Sequence, residues 1–340
     1  MKKFVLYNLI YFFLFILLLE ITLNLVKLKN IHFVGNFLSY GDNNVDILKP
    51  SKIFTHAYNN YEAIYIHQKY YNRISTKDNI NSKDKILILG DSFAFGWLLN
   101  EEYIINNELS KRYPKYYFIN SSTPGHSLSD NLQFLKSYCK EIKPKKVILI
   151  MNYHHIKRSV ENDFFEINNG KFVQKKKEVS DLRKFLRENE AYGFLINNFK
   201  FMQLIRSIVY HYSINNSKKN TNNNIVKKVN YHNSTEIGNL IVEEIVEEIN
   251  RCNSKIIFVY NGWYASYDEK NYSNLTIKFI KNSNIFREKN LIFEDASEDL
   301  KEVHSNMKKY QISKYGDVHP NNEGAKIKNL AIINKLEKHL

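Results

Sequence analysis

The sequence predicts an α/β protein, in which a three-layer α/β/α domain around a five-stranded parallel sheet follows one N-terminal transmembrane helix. Two observations predict it. From residue 85 onward, short apolar runs alternate with helical segments, which is typical of parallel strands covered by helices on both faces. Near the N-terminus, Leu9 to Leu19 is unbroken apolar sequence inside a longer apolar segment, which as a helix is long enough to cross a bilayer.

The N-terminal segment determines the predicted compartment. Residues 4–26 are apolar apart from Asn8, Glu20, Thr22 and Asn24. A helix of this extent would be about 35 Å long, against a hydrocarbon core of about 30 Å. Lys2 and Lys3 precede the segment and no small-x-small cleavage site follows it, so we expect residues 1–28 to be an uncleaved signal anchor. The chain would then be a single-pass protein of the cell membrane, with its folded domain outside the cytoplasm.

The region after the anchor divides in two. Residues 29–84, mixed polar and aromatic, are expected to form a stalk and lead-in, and residues 85–340 the folded domain. The predicted strands of this domain are 85–89, 116–120, 147–151, 255–260 and 291–293. The predicted helices are 101–112, 128–142, 237–249 and one that starts near Asn322. The helix over 237–249 has the clearest periodicity, because isoleucine recurs at every fourth position from Ile237.

An insertion at about residues 157–233 separates the third and fourth strands. It contains one apolar helical stretch, Phe194 to Tyr212, and one polar run, Asn215 to Asn224. The polar run is expected to be a mobile loop, because it lacks the apolar content to pack. The insertion is either a cap over the site or a peripheral subdomain, and the sequence leaves both interpretations open.

The charge distribution argues against a nucleic-acid partner, and the cysteine content argues against a disulfide framework and a metal site. The formal net charge is +14, but the lysines are scattered and no basic motif of a nucleic-acid-binding module is present, so we expect no nucleic-acid partner. Cys139 and Cys252 are too few for a disulfide framework or a metal site. We expect them to be buried free thiols.

The most informative residues are 86–93, Ile-Leu-Ile-Leu-Gly-Asp-Ser-Phe. Four apolar residues indicate a buried strand, and Gly90 then supplies the backbone freedom for a sharp turn. The turn can place Ser92 at the carboxyl edge of the sheet, where α/β proteins bind their ligands. Far downstream, Asp317 and His319 stand two positions apart. One chain therefore holds a candidate nucleophile, a candidate base and an orienting acid.

These two segments resemble the SGNH (GDSL-like) hydrolase family over residues 85–340. Residues 90–97, Gly-Asp-Ser-Phe-Ala-Phe-Gly-Trp, are similar to the first block of the family, and residues 317–321, Asp-Val-His-Pro-Asn, resemble an Asp-x-His variant of its last block. The resemblance implies a flavodoxin-like three-layer fold. It also implies Ser92 as nucleophile, His319 as base and Asp317 as the acid that orients the base.

The same resemblance implies donors for an oxyanion hole. They are the N–H of Ser92, Gly125 after the second strand, and a residue after the third strand. The family has Asn-Asp there, whereas this chain has Met-Asn-Tyr-His-His over residues 151–155. Counting from Pro144, which precedes the third strand, places His154 at the asparagine position, with Asn152 as the alternative. No third ligand accompanies the histidine pair at a suitable spacing, so we expect neither a metal nor another cofactor.

The function implied is a serine-dependent acyl-ester hydrolase or acyltransferase working outside the cytoplasmic membrane. Family analogy and location suggest O-acetyl groups of a cell-envelope glycan as the target, with a membrane acyl-donor protein as a further candidate partner. A lipid esterase is the alternative among enzymes. A catalytically silent envelope protein that binds glycan or an assembly partner is the alternative from another class.

Overall fold

The computed structural model of the 340-residue chain describes residues 2–26, 28–29, 31–74, 79–82, 84–161, 164–168, 171–209, 234–263, 275–313 and 317–340. Its helices are α1 (Lys2–Leu25), α2 (Ser92–Phe95), α3 (Ile105–Arg112), α4 (Leu128–Ile142), α5 (His155–Glu161), α6 (Asp181–Glu188), α7 (Glu190–Asn198), α8 (200–209), α9 (Ser234–Arg251), α10 (Leu275–Asn282), α11 (Ile285–Glu288), α12 (Lys301–Ser305), α13 (Met307–Tyr310) and α14 (Asn322–Leu336).

The strands fall into two larger sheets and two hairpin-like pairs. They are β1 (His32–Val34), β2 (Leu38–Tyr40), β3 (Asp46–Leu48), β4 (Ile53–Tyr58), β5 (Tyr61–Gln68), β6 (Asn72–Arg73), β7 (Lys85–Leu89), β8 (Tyr117–Asn120), β9 (Lys146–Met151), β10 (Phe165–Asn168), β11 (Lys171–Gln174), β12 (Lys255–Tyr260) and β13 (Ile292–Asp295).

The central sheet has five parallel strands in the order β13-β12-β9-β7-β8. Read from its other edge, this is the flavodoxin-like order of a doubly wound sheet. The predicted α/β class and five-stranded parallel sheet are therefore confirmed. The predicted limits of β7, β12 and α4 agree with those observed.

Successive residues of the central strands point into two different cores. Ile86 and Ile88 of β7 pack in one core with side chains of α3 and α14, and Leu87 and Leu89 pack in the other with α4 and α9. Helices thus cover both faces, which gives the predicted three layers. Burial on both faces is the reason that β7, β9 and β12 each have a run of consecutive apolar residues after their first lysine instead of an alternating pattern.

The prediction of a stalk over residues 29–84 is wrong for the part that the structure describes. β1, β4, β5 and β6 form an antiparallel sheet, and β2 pairs with β3. We call β1 and β4–β6 the N-terminal sheet. Its side chains share a core with Phe95 of α2. Because Phe95 follows Ser92 by one helical turn, the N-terminal sheet belongs to the same folded unit as the candidate nucleophile.

The insertion packs against the N-terminal region. The apolar stretch predicted as one helix over 194–212 forms parts of two helices in the described residues, α7 and α8, and α6 and the β10–β11 pair precede them. Asn197 Oδ1 accepts the backbone N–H of Asn36 at 2.6 Å. The polar run over 215–224, predicted to be a mobile loop, lies outside the described residues.

Cys139 and Cys252 form a disulfide, so the prediction of two free thiols is wrong. Cys139 lies near the end of α4 and Cys252 directly follows α9. Their Cα atoms are 6.0 Å apart, within the range that a disulfide requires. The pairing arises because α4 and α9 pack side by side on one face of the sheet, and the separation of 113 positions hides it in the sequence.

The first helix, α1, is long and apolar enough to cross a membrane, judged by length and composition. Most of its apolar side chains are exposed, whereas Leu23 near its end is buried. Among the described residues, the helix therefore packs on the rest of the protein near its C-terminal end.

Candidate active site

The candidate nucleophile lies in a tight turn between β7 and α2. Ser92 is the first residue of α2, and Asp91 caps this helix because its Oδ1 accepts the N–H of the residue two positions on at 3.0 Å. Gly90 provides space more than backbone freedom, since a Cβ there would stand 2.7 Å from the Cβ of Ala94. Close packing of the turn on the sheet is thus the reason for glycine at this position.

Arg73 of β6 holds the other end of α2. Gly96 ends the helix in the left-handed conformation with φ 83°, which glycine adopts without strain. Arg73 Nη1 donates to the carbonyl of Phe95 at 2.7 Å, and the guanidinium also donates to the carbonyls of Gly96 and Leu99. Burial lowers the pKa of Arg73 to about 10, so it is still a cation at neutral pH. The N-terminal sheet therefore fixes the turn that carries Ser92.

Ser92, His319 and Asp317 form a hydrogen-bonded line. His319 Nε2 lies 2.7 Å from Ser92 Oγ, and His319 Nδ1 lies 2.6 Å from Asp317 Oδ1. Asp317 Oδ1 also accepts the backbone N–H of His319 at 2.9 Å. With the Nδ1 proton donated to Asp317, Nε2 carries a lone pair and can accept the Ser92 hydroxyl proton. The fold thus joins residues 227 positions apart in a nucleophile–base–acid arrangement.

Asp317 is held as a carboxylate. Burial raises its pKa, but the hydrogen bonds and charge of His319 outweigh burial and hold the pKa well below the usual range. Asp317 Oδ2 accepts the indole N–H of Trp97 at 2.9 Å, and His32 Nε2 lies 3.6 Å from the same oxygen. The cap of α14 is Asn321, so Asp317 does not serve as its cap.

A chain of hydrogen bonds runs through the N-terminal sheet to His32, whose ring faces Asp317. Leu98 donates its N–H to Tyr65 Oη at 2.9 Å, Tyr65 Oη lies 2.6 Å from His56 Nδ1, and His56 Nε2 lies 2.9 Å from His32 Nδ1. Burial, with His32 nearby, holds the pKa of His56 well below its usual value, so His56 is neutral. If Tyr65 donates to His56, then His56 donates to His32, and the remaining N–H of His32 faces the carboxylate.

The sequence motifs do not identify Trp97, His32 or His56 as site residues. Trp97 lies inside the first motif block, and the two histidines lie in the region predicted to be a stalk. One signal could have corrected this: segments rich in aromatic and β-branched residues lie on both sides of Asn59-Asn60, which is typical of two strands joined by a two-residue hairpin turn. β4 and β5 form this hairpin, and Asn59 has a positive φ of 53°.

The three predicted oxyanion positions differ in their surroundings. Asn152 Nδ2 donates to Asp91 Oδ2, and Asn152 Oδ1 accepts the N–H of His154 at 2.8 Å. Burial, followed by the charge of Arg158, lowers the pKa of His154 to about 3, so its ring is neutral. Gly125 has a φ of 90°, with open space where a side chain would stand. Asn152 therefore uses one of its two amide N–H groups on Asp91, and the neutral ring of His154 carries one N–H.

Comparison with known proteins finds similar solved structures but no similar sequence family. No protein-family model matches the chain, and no curated protein matches it. TesA is similar at 11% identity and a TM-score of 0.44, over 76% of this chain and 100% of TesA. A catalytic mutant of an acetylxylan esterase from Geobacillus stearothermophilus is similar at 13% identity and a TM-score of 0.42, over 75% of this chain and 94% of the esterase.

A member of the lipolytic protein G-D-S-L family from Veillonella parvula is similar at 10% identity and a TM-score of 0.41, over 74% of this chain and 96% of that protein. Solved structures named as esterase or lipolytic G-D-S-L protein are therefore among those that this chain resembles. The function proposed below is inferred from the geometry of Ser92, His319 and Asp317.

Proposed function

We propose that the chain is an SGNH-type serine enzyme that cleaves or transfers acyl esters. The observation that carries this proposal is the line from Ser92 Oγ to His319 Nε2, at 2.7 Å, and from His319 Nδ1 to Asp317 Oδ1, at 2.6 Å. Both distances are those of a working hydrogen-bonded triad. A serine hydroxyl is a weak nucleophile without such a base.

In the proposed reaction, Ser92 Oγ attacks the ester carbonyl carbon while its proton passes to His319 Nε2. The tetrahedral intermediate collapses, and the leaving alcohol takes that proton, which leaves an acyl group on Ser92. Water then attacks the acyl group with His319 as base, and the carboxylic acid departs as Ser92 recovers its proton. An acceptor hydroxyl in place of water gives transfer. Asp317 stabilises the imidazolium that forms in each half-reaction.

The oxyanion of each intermediate needs N–H donors. We propose the backbone N–H of Ser92, the N–H of Gly125 and the ring N–H of His154 for this role. The support for His154 is its neutral ring, which carries one N–H, together with the hydrogen bond to Asp91 that occupies one of the two amide N–H groups of Asn152. One such donor contributes about 10²–10³ in rate.

We also propose that the enzyme acts outside the cytoplasmic membrane on O-acetyl groups of a cell-envelope glycan. The support is α1, whose length and composition suit a signal anchor, together with the single disulfide that α4 and α9 share, since disulfides persist in oxidising compartments. A lipid ester is the competing substrate, and acetate release from envelope glycans against fatty-acid release from lipid vesicles separates the two.

The proposal is tested with the purified full-length chain and p-nitrophenyl acetate. Ser92→Ala should lower turnover by roughly 10⁶-fold, as in other triad enzymes that lose the nucleophile, and should leave the melting temperature nearly unchanged. Ser110→Ala, at an equally buried serine of α3, is the matched control and should keep full activity. Turnover retained in Ser92→Ala would refute the assignment. Inactivity of the wild-type chain on every ester would favour the silent binding protein.

A further inference from the structure

The insertion presents large apolar side chains to its surroundings. The exposed ones on α7 and α8 and between them, which we call the insertion patch, are Phe194, Leu195, Phe199, Ile205, Ile208 and Val209. Phe194 and Val209 are each 61% exposed. Ile205, Ile208 and Val209 follow the i, i+3, i+4 spacing of one helix face, and Gln203 on the opposite face is buried. Exposed apolar side chains concentrated on two successive helices indicate an interaction surface.

The point at which α8 contacts α1 indicates which surroundings the patch has. The Glu20 carboxylate of α1 accepts the N–H groups of Lys200 and Phe201, each at 2.9 Å. Glu20 precedes the end of α1 at Leu25 by about one and a half turns, or roughly 8 Å. The first turn of α8 is therefore fixed at the depth where α1, if it crosses a bilayer, leaves the hydrocarbon core. Interfacial helices bury their apolar face about 5–10 Å deep at that boundary.

The patch is also fixed to the N-terminal region. Arg206 of α8 donates to the carbonyl of Val34 in β1, and Asn36 donates from its side chain to the carbonyl of Arg187 at 3.0 Å. β1 begins at His32, which faces Asp317 of the triad. The same short strand thus contacts both α8, which carries part of the patch, and the active site, so the patch and the triad are held in one orientation relative to each other.

We propose that the insertion patch lies in the interfacial layer of the bilayer that α1 crosses, and that it holds the active site facing that membrane surface. This rests on the proposed role of α1 as a membrane anchor. The charge agrees with an anionic lipid surface, since Arg183 and Lys184 of α6 are exposed and the whole chain carries a formal charge of +14. The substrate class that this arrangement favours is an acyl ester on a molecule attached to, or dissolved in, the membrane.

The reach of the chain supports that substrate class. His32 follows the end of α1 by about seven residues, which span at most roughly 25 Å when fully extended. Asp317 lies next to His32, so the triad stays within that order of distance from the membrane boundary. This placement does not raise the concentration of a soluble substrate near Ser92, whereas it places Ser92 close to a substrate that is bound to the membrane.

The test uses the full chain in nanodiscs of phosphatidylcholine and phosphatidylglycerol that contain lipids with a nitroxide on the upper acyl chain. Single cysteines at Phe194→Cys and Ile208→Cys carry an environment-sensitive fluorophore. The matched control is Leu330→Cys, an exposed apolar position on α14. The native cysteines form a disulfide, so only the introduced thiol reacts. We expect loss of emission at 194 and 208 and unchanged emission at 330.

Each other result contradicts the proposal in a distinct way. Unquenched emission at 194 and 208, with the chain still in the nanodisc, overturns the proposed surface but leaves the anchor intact. Equal quenching at 330 shows that the domain has no fixed orientation. Self-quenching between fluorophores on two labelled copies, without quenching by lipid, would show that the patch binds a second copy of the chain instead of the membrane. A chain recovered outside the nanodisc removes the anchor, and with it the premise.

A variant in which three apolar residues of the patch are replaced by serine separates this proposal from the proposed catalysis. The triple variant Ile205→Ser, Ile208→Ser, Val209→Ser should keep wild-type turnover of p-nitrophenyl acetate. It should lose turnover of an acetyl ester carried by a vesicle lipid. Equal loss on both substrates would show that the patch is structural, and unchanged rates on both would show that it does not orient the site.

Discussion

The triad and its supports come from two different parts of the molecule. Ser92 begins α2 and His319 lies in the loop before α14, both at the carboxyl edge of the parallel sheet. The groups behind them come from the N-terminal sheet: Arg73 binds the carbonyls that end α2, and His32 faces Asp317. The reacting atoms thus belong to one layer, and the groups that hold them in place belong partly to another. Four sets of substitutions measure how far the site depends on each part.

The largest effect should come from the parallel-sheet edge. Asp317→Asn removes the charge that stabilises the imidazolium and favours the wrong tautomer of His319, so kcat should fall by about 10⁴-fold. Fluorescence-monitored unfolding should show a folded protein. A fall of tenfold or less would mean that His319 is oriented by other groups, and that Asp317 is not the acid of the triad.

The second-largest effect should come from the contact between the N-terminal sheet and the end of α2. Arg73→Met keeps the length of the side chain but leaves the carbonyls of Phe95, Gly96 and Leu99 without their donor. The free energy of unfolding should fall by about 3 kcal/mol, measured by urea denaturation, with kcat lowered as well. Lys69→Met, an exchange on the preceding turn, is the control. Stability equal to wild type would mean that the N-terminal sheet does not fix the nucleophile turn.

Loss of an oxyanion donor should be smaller. His154→Ala should lower kcat by about 10²-fold with nearly unchanged KM, because the donor acts on charge that develops in the transition state. His154→Asn should recover part of this loss, since an amide N–H can take the same role. If Asn152→Ala reduces kcat at unchanged stability while His154→Ala is silent, Asn152 is the donor.

The smallest effect should come from replacing the residues that contact Oδ2 of Asp317, the oxygen that does not bind His319. Trp97→Phe removes the indole N–H at 2.9 Å but keeps an aromatic ring against His319, and one such bond to a charged group is worth about 1.5–3 kcal/mol. We expect kcat to fall about tenfold, with less than a twofold change in KM. His32→Phe should cost less, because its Nε2 lies farther away, at 3.6 Å. The reverse order would show that the N-terminal sheet is the main support of Asp317.

The parallel domain could be predicted because its signals are local. Residues 86–89 of β7 are apolar, and Gly90, Asp91 and Ser92 follow the strand, so strand, turn and nucleophile are adjacent in the sequence. The position of His319 could be predicted from its proline-asparagine context and the helix that follows. These features depend on neighbouring residues, which a single sequence shows.

The supports could not be predicted in the same way. His56 is buried and polar, and its partners His32 and Tyr65 become neighbours only when β1 and β5 pair with β4. A polar residue in a short strand carries no sign of the partner that will satisfy it. The same holds for Glu20, which is an interruption in an apolar helix until α8 folds against it.

Covalent labelling of Ser92 tests the central claim most directly. The full-length protein is treated with a fluorophosphonate, and its intact mass and peptide map are measured. The account predicts one adduct per chain, located on Ser92, absent from Ser92→Ala and much slower to form in Asp317→Asn. No adduct on the wild-type chain, or an adduct that persists in Ser92→Ala, would contradict it.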